Sequence, residues 1–585
     1  MVKVKTLTAE TPRTRGVSAV KRASPVNYVA MRLPRPWRIV FVLLLWIPSA
    51  WTAAYNARPK LIVVIVIDQF RGDYLERYRD QFGDGGFRLF LEHGAYFTDC
   101  NYDYANTRTA PGHSTLFTGT YTSGHGIVSN EWWDPVKKKR VTSVQDDSTK
   151  LVGVSSSVAG SSPHNLQADT LGDELKLATG GKARVFAISL KDRAAVLPGG
   201  FSADGAYWID GKSGTWITST YYHQTLPEWA SNFNGNNRTE KYWNREWKDS
   251  SGKVLGSTAP RNGKDGKPAG FYEVVGSTPF ANDYEFEFAK ELVVYEKLGA
   301  GPATDLLAIS LSANDILGHQ VGPDSPQMRG MALELDRQIA EFVGFLGHQV
   351  GLANIWMALS ADHGIAPLPE FAKTLRLPAA NLNDDDLRKQ INSLLSKKYS
   401  KTADYVQALD YPLAWLNDEA FAGHKEADAE ADTGEAMKQA GFRGYYTKSQ
   451  LARGETPYTE MGRRYAHSYS PLGGWYVMGV PSPFQVGSTS GTDHATPFSY
   501  DTHVPLAFYG LAFQPGLYRN HAEPVDLAVT LASLLGINAP THATGRVLIE
   551  AIQPQRRTPA PAPIGPASNA PASNGPSSNA PGEVQ

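Results

Sequence analysis

Four stretches of the chain are uninterrupted apolar runs that stop at polar residues: LIVVIVID (61–68), DLLAISLS (305–312), NIWMALSAD (354–362) and VPLAFYG (504–510). RVFAISL (184–190) is a fifth candidate. A strand with one wet face alternates apolar and polar side chains, whereas a run without alternation is covered on both faces, as in a parallel sheet between helix layers. Buried parallel strands are therefore expected at these places. Between them the period lengthens. Met331, Leu335, Ile339, Phe342, Val343 and Leu346 recur at three and four, which predicts a helix over 327–347 with one buried stripe. DLAVTLASLL (526–535) predicts another, with Asp526 as its N-cap and Gly536 as its stop. Strands and helices in this alternation predict an α/β fold, a doubly wound and mostly parallel sheet with helices on both faces. Ligands of such sheets bind at the carboxyl ends of the strands.

Two stretches interrupt the pattern and are expected to be insertions or caps on one core. Residues 201–280 are aromatic, Gly- and Asn-rich, and 370–470 contain an acidic run at 424–436 expected to be solvated surface. The aromatics Trp208, Trp216, Tyr221, Tyr222, Trp229, Tyr242, Trp243 and Trp247 are expected to form cap core, with a partner- or glycan-binding surface as the competing reading.

The ends differ from the middle. From Met31 the chain reads MRLPRPWRIVFVLLLWIPSAWTAAYNA, with Arg32, Arg35 and Arg38 before an apolar core at 39–47 and small residues at 49–57. The apolar run is short for a membrane span, so 31–57 is expected to be a signal peptide, with uncleaved anchoring as the competing reading. Residues 1–30 are expected to be a non-native extension ahead of the true start, and 553–585, rich in Pro, Ala, Ser and Asn, a disordered tail. The main domain then spans 58–552, and cleavage would place it in the periplasm or outside the cell with no stable membrane span.

Composition narrows the chemistry. The 585 residues carry a net charge of -1, but residues 1–38 hold nine bases and one acid, which leaves 48 bases and 57 acids, or -9, in the rest. That balance argues against a nucleic-acid scaffold role. A single cysteine, Cys100, excludes disulfide scaffolds, C-x-x-C redox chemistry and all-cysteine metal sites. Any metal must be held by His, Asp, Glu or hydroxyls. Phosphate-loop signatures are also missing: GKS at 211–213 lacks the upstream glycine at the right distance, no G-x-G-x-x-G follows the first strand, and no G-x-S-x-G elbow marks a strand–helix junction.

Six residues meet the metal requirement at the predicted strand ends. Asp68 closes the first run, Asp315 and His319 stand four apart after the second, Asp362 and His363 follow the third, and His494 precedes the fourth. Singly, each is as well explained as a turn or cap. Together they are three carboxylates and three imidazoles at one sheet edge, enough for two sites of three, and this mixed set suits zinc where an all-oxygen set would suit magnesium or calcium. Thr109, in NTRTAPGHSTLFTG, sits where a loop turns into a helix, whose amides can hold an anion. It reads equally as a nucleophile activated by metal or as a helix cap. Lys191 and Arg193, in SLKDRAAVLPGG, read either as a surface ion-pair set or as cations for a phosphate.

Taken together, these motifs resemble the alkaline phosphatase superfamily over about 60–550, and in particular the PafA-like branch of bacterial alkaline phosphatases with a threonine nucleophile, related to the nucleotide pyrophosphatase/phosphodiesterases. The resemblance implies an alkaline-phosphatase-like core and two zinc ions per chain. It implies Asp68, Asp362, His363 and Thr109 as ligands of one zinc, and Asp315, His319 and His494 as ligands of the other. Asn130, in GIVSNEWWD, matches the asparagine that donates to a phosphoryl oxygen, and Lys191 and Arg193 match the Lys-x-Arg pair of the monoesterases. His113 and His503 match no ligand position and are expected to be structural. The implied activity is hydrolysis of small-molecule phosphate monoesters through a covalent phosphothreonine, by a monomeric enzyme. Two alternatives stand beside it: a phosphodiesterase or nucleotide pyrophosphatase on the same site, and a zinc-stabilised binding protein without turnover.

Overall fold

The computed structural model describes residues 58–262 and 269–553. The expected extension and signal peptide (1–57) and residues 554–585 of the expected tail lie outside them. A mixed eleven-stranded sheet carries the fold. Its strands run in space as Gly516–Tyr518, Ala95–Phe97, Leu506–Tyr509, Ile355–Ser360, Leu61–Ile67, Asp305–Leu311, Val185–Ser189, Gly205–Ile209, Trp216–Ser219, Gln145–Val152 and Ala159–Ser161. The five from Ile355–Ser360 to Gly205–Ile209 are parallel, and four of these are the runs expected as parallel strands. Every residue of Leu61–Ile67 and Asp305–Leu311 is buried, as unbroken apolar runs require.

One expectation is overturned. The 504–510 run forms Leu506–Tyr509, but it pairs antiparallel with Ile355–Ser360. An apolar run reports that both faces are covered and says nothing of direction. The reversal matters for the site, because the chain enters this strand from the edge where its parallel neighbours end. His494, which precedes the strand, is thereby delivered to the same edge as Asp68 and Asp362.

Helix Pro326–Gln349 buries all six residues of the expected stripe, and Ser325 caps it by accepting the Met328 N–H at 3.2 Å. Helix Asp526–Leu535 stops at Gly536, whose φ of 63° is left-handed. Asp526 is not its cap: Val525 holds that position, and the Asp526 carboxylate instead accepts the N–H groups of Glu523 and Arg546 at 2.9 and 2.7 Å.

Within 201–280, strands Gly205–Ile209 and Trp216–Ser219 belong to the large sheet. Trp208, Trp216, Trp229, Tyr242, Trp243 and Trp247 are buried and pack a core, Trp216 stacking on Phe288 at 4.0 Å between ring centres, whereas Tyr222 is half-buried and Tyr221 is exposed, against the expectation. Residues 384–480 include a separate antiparallel sheet, ordered Val406–Asp410, Leu413–Leu416, Tyr476–Val480, Gly444–Thr447. Helices Asp384–Tyr399 and Glu426–Gln439 close a core with it around Ile391, Leu395, Leu409, Met437 and Val477. The acidic run is helix Glu426–Gln439, and one of its acids departs from the solvated reading: Glu430 is buried and accepts the Ser449 N–H at 3.0 Å. No described helix is long and apolar enough to cross a membrane.

Candidate active site

The carboxyl ends of the parallel strands deliver the chemistry. Asp68 follows Leu61–Ile67, Lys191 follows Val185–Ser189, and Asp362 with His363 follow Ile355–Ser360. Helix Ala313–Val321, which begins directly after Asp305–Leu311, presents Asp315 and His319 one turn apart, His319 Nε2 lying 3.1 Å from Asp315 Oδ1.

Asp68, Asp362 and His363 are fully buried and offer three donor atoms to one point. His363 Nε2 stands 3.6 Å from Asp68 Oδ1 and 3.5 Å from Asp362 Oδ2. None of these three atoms has a hydrogen-bond partner. His113 Nδ1 is 3.2 Å from Asp362 Oδ2, but its hydrogen is directed to the Thr109 carbonyl at 2.8 Å. Buried polar atoms without partners are costly unless an ion satisfies them. Donors at zinc bond lengths of about 2.0–2.2 Å stand about 3.3–3.6 Å apart in a tetrahedron, which is the spacing found here. The residues fit a zinc ion.

Asp315, His319 and His494 lie beside this triad. His494 Nε2 is 3.9 Å from Asp315 Oδ1, and the His494 ring stacks on His363 with 3.7 Å between centres. Asp315, His363 and His494 form one ion-sized group, and His319, Asp493 and His494 another. The Nδ1 atoms of His319, His363 and His494 lie 2.9, 2.9 and 2.6 Å from the carbonyls of Thr492, Gly364 and Thr107. A carbonyl only accepts, so each Nδ1 carries a proton, and at His363 and His494 this leaves Nε2 facing the cluster as a free lone pair, the usual arrangement of metal-binding histidines, whereas His319 Nε2 faces the Asp315 carboxylate. Burial pushes His363 down, and burial with the neighbouring His363 and His319 pushes His494 well down, so both are neutral ligands at neutral pH. Burial opposes the charged form of His319 too, but the Asp315 carboxylate wins and lifts it to about 9.

Lys191 bridges the two groups. Its ammonium lies 2.5 Å from both Asp68 Oδ2 and Asp315 Oδ2. Asp68 is nevertheless held well above the usual carboxylate range by burial and by repulsion from Asp315 and Asp362. For Asp315, burial is outweighed by Lys191 and His319, which hold it well below. Three buried carboxylates face the Lys191 ammonium and the His319 imidazolium, and the raised Asp68 expresses the remaining excess of anionic groups, which cations would offset.

Thr109 begins helix Thr109–Thr118, all of whose residues are buried. The helix reaches the triad at Gly112, where a Cβ would stand 2.2 Å from the Asp362 carbonyl oxygen, so only glycine fits. Asn130 Oδ1 accepts the Ala110 N–H at 2.8 Å, which fixes the amide beside the helix start with its NH2 as the remaining donor. Arg193 lies in the first turn of helix Asp192–Gly199, which packs on the Thr109 helix, and its buried Nε has no partner. His113 reaches Ser310 Oγ at 2.7 Å besides Thr109, and His503 Nε2 reaches the Thr98 carbonyl at 3.0 Å, both supporting roles.

Three residues escaped the sequence reading. Gln69 touches Asp362 and Asp315, as detailed below. Asp493 closes on His319 and His494. Asp410, at the end of a strand in the antiparallel sheet of residues 384–480, pairs with Arg108 at 2.9 Å and accepts from Ser129 Oγ at 3.0 Å, gripping the residues just before Thr109 and Asn130. Adjacency to Asp68 and His494 was the only sequence signal for the first two, and Asp410 gave none.

Residues 62–449 match the model of the family described as type I phosphodiesterase / nucleotide pyrophosphatase. The chain is 34% identical over 523 residues to a protein of Myroides odoratus described as a calcium-transporting ATPase, covering 85% of this chain and 95% of that one. It is 32% identical to alkaline phosphatase PhoV of Synechococcus elongatus (85% and 94% covered) and 31% identical to alkaline phosphatase PafA of Elizabethkingia meningoseptica (89% and 100%). The crystal structure of wild-type PafA superposes with a TM-score of 0.76 at 31% identity, over 85% of this chain and 99% of that one. With the metal-binding groups at the edge of the same α/β core, the chain belongs to the type I phosphodiesterase / nucleotide pyrophosphatase family, in the alkaline phosphatase superfamily, as a relative of the bacterial PafA and PhoV phosphatases.

Proposed function

We propose that this hydrolase is a zinc-dependent phosphatase that cleaves small-molecule phosphate monoesters through a phosphothreonine at Thr109. The observation that carries the reading is the convergence of three unpartnered donor atoms, of Asp68, Asp362 and His363, beside the first turn of the Thr109 helix, where Gly112 and His113 meet Asp362. Asp68, Asp362, His363 and the Thr109 hydroxyl would hold one zinc, and Asp315, His319 and His494 the other. Bound there, the two ions would lower the pKa of the threonine hydroxyl and stabilise charge on the departing oxygen.

The protein's own residues supply the rest. Thr109 Oγ1 attacks phosphorus as the bond to the leaving oxygen breaks, giving a phosphothreonine and an alcohol or alkoxide. Water then attacks the same phosphorus, releasing inorganic phosphate and regenerating the hydroxyl. Charge in such a transition state sits on the non-bridging oxygens. The Asn130 amide, the Lys191 ammonium and the Arg193 guanidinium are the donors assigned to them. A monoester presents one more anionic oxygen than a diester, and two cations suit that oxygen where an apolar wall would suit a second ester group.

Similarity to PafA and PhoV supports the phosphatase reading. The family description supports a second, phosphodiester or pyrophosphate cleavage on the same site, against which Lys191 and Arg193 weigh. The name of the Myroides relative adds ATP to the substrates worth testing. We further take the enzyme to act as a monomer outside the cytoplasm. For the nucleophile, Thr109→Ala should keep its zinc and lose most turnover, and acid quench of wild type on radiolabelled phosphate ester should leave label on Thr109. Full activity of the variant would overturn the mechanism.

A further inference from the structure

Gln69 follows Asp68 with a φ of 64°, a left-handed conformation that a glutamine rarely adopts, and it is fully buried. Its backbone N–H donates to Asp362 Oδ1 at 3.0 Å. Its side-chain Nε2 donates to Asp315 Oδ1 at 2.6 Å. An ionised carboxylate only accepts, so the amide must present its NH2 to Asp315. The remaining Oε1 is buried without a partner and is pressed against Gly318, where a Cβ would lie 1.9 Å from it. A strained backbone and an unsatisfied carbonyl in one residue are unfavourable, and such features persist where the surroundings put them to use.

Their use is visible in which oxygens they occupy. The N–H takes Asp362 Oδ1 and leaves Oδ2 facing Asp68 and His363. The side chain holds Asp315 Oδ1, the oxygen that also faces His319 and His494, while Lys191 holds Oδ2, so the carboxylate is fixed against turning. Gly318, between Asp315 and His319 on their helix, is the space that lets the amide reach. Second-layer donors of this kind orient metal ligands, and their loss typically costs about 10–100-fold in metal affinity.

We propose that Gln69 is a positioning residue for both metal groups, its backbone orienting Asp362 and its side chain orienting Asp315. The inference rests on the two-zinc reading above. Gln69→Gly suits the left-handed backbone and keeps the N–H while deleting the amide. Gln69→Asn is the second variant, because asparagine tolerates the same backbone but is one methylene too short to reach Asp315.

The test is zinc titration of the chelator-stripped proteins against a chromophoric chelator, with apparent melting temperatures in parallel. Wild type is expected to take two zinc ions. Both variants are expected to keep one site at wild-type affinity and to weaken the other, the one that uses Asp315, by about 10–100-fold. Two sites at wild-type affinity in both variants would overturn the role of Gln69 alone. Equal weakening of both sites in step with a lowered melting temperature would make Gln69 a packing residue, and would also overturn it. Failure of wild type to take two ions would overturn the two-zinc reading itself.

Discussion

Single side chains set the geometry at the sheet edge, and one tight fit is Gly112 against the main chain of Asp362. A methyl group there meets main chain at 2.2 Å, which no rotamer change can relieve. Gly112→Ala is expected to shift the Thr109 helix off the triad, lowering stability by about 1–3 kcal/mol and zinc occupancy with it. Thermal melts with metal analysis check this, and an unchanged zinc content would show that the helix has room to move. At this scale the sequence was informative where residue type is chemistry. Aspartates and histidines at strand ends announce themselves. Gln69 does not, because a left-handed backbone is legible at glycine and invisible at glutamine.

Among the elements, the antiparallel sheet of residues 384–480 is tied to the Thr109 helix through Asp410. Removing its carboxylate in Asp410→Ala breaks the ion pair with Arg108 and the bond from the Ser129 hydroxyl together, leaving Arg108 with the Tyr411 carbonyl at 2.7 Å. Misplacement by about 1 Å can cost on the order of 100-fold in rate, so kcat is expected to fall at least tenfold with zinc content unchanged. An unaltered kcat would detach this sheet from catalysis. In helix Glu426–Gln439, burial pushes Glu430 up to about 7. Its folded value lies above its unfolded one, so its contribution is fully present below about 4.5 and is lost as pH rises to about 7. Glu430→Gln should therefore match wild type in acid and exceed it by up to about 3 kcal/mol above pH 7. Denaturant unfolding across pH checks this, and a pH-independent difference would contradict it. The acidic composition of that helix pointed to solvent, and its one buried acid depends on packing against the Ser449 turn that composition cannot report.

For the molecule as a whole, three buried carboxylates facing the Lys191 ammonium and the His319 imidazolium imply that metal bound there would stabilise the fold. Chelation is expected to lower the melting temperature and zinc to restore it, and a melting temperature indifferent to both would argue against structural metal sites. The parallel centre of the sheet was readable because strands covered on both faces are unbroken apolar runs. The direction of Leu506–Tyr509 was not, since apolarity has no polarity of its own, and the strand at 145–152 was missed because its residues are largely polar, that at 159–161 because it is only three residues long. Convergence of six candidate ligands from four distant segments follows from strand order, which a sequence implies only when its motifs are recognised together. The most direct test of the account is the initial rate of zinc-loaded wild type on matched nitrophenyl mono- and diesters, beside Lys191→Ala/Arg193→Ala. A strong monoester preference that collapses in the double variant is expected. A diester preference, or a double variant that behaves as wild type, would contradict the assignment of phosphomonoesterase selectivity to this pair.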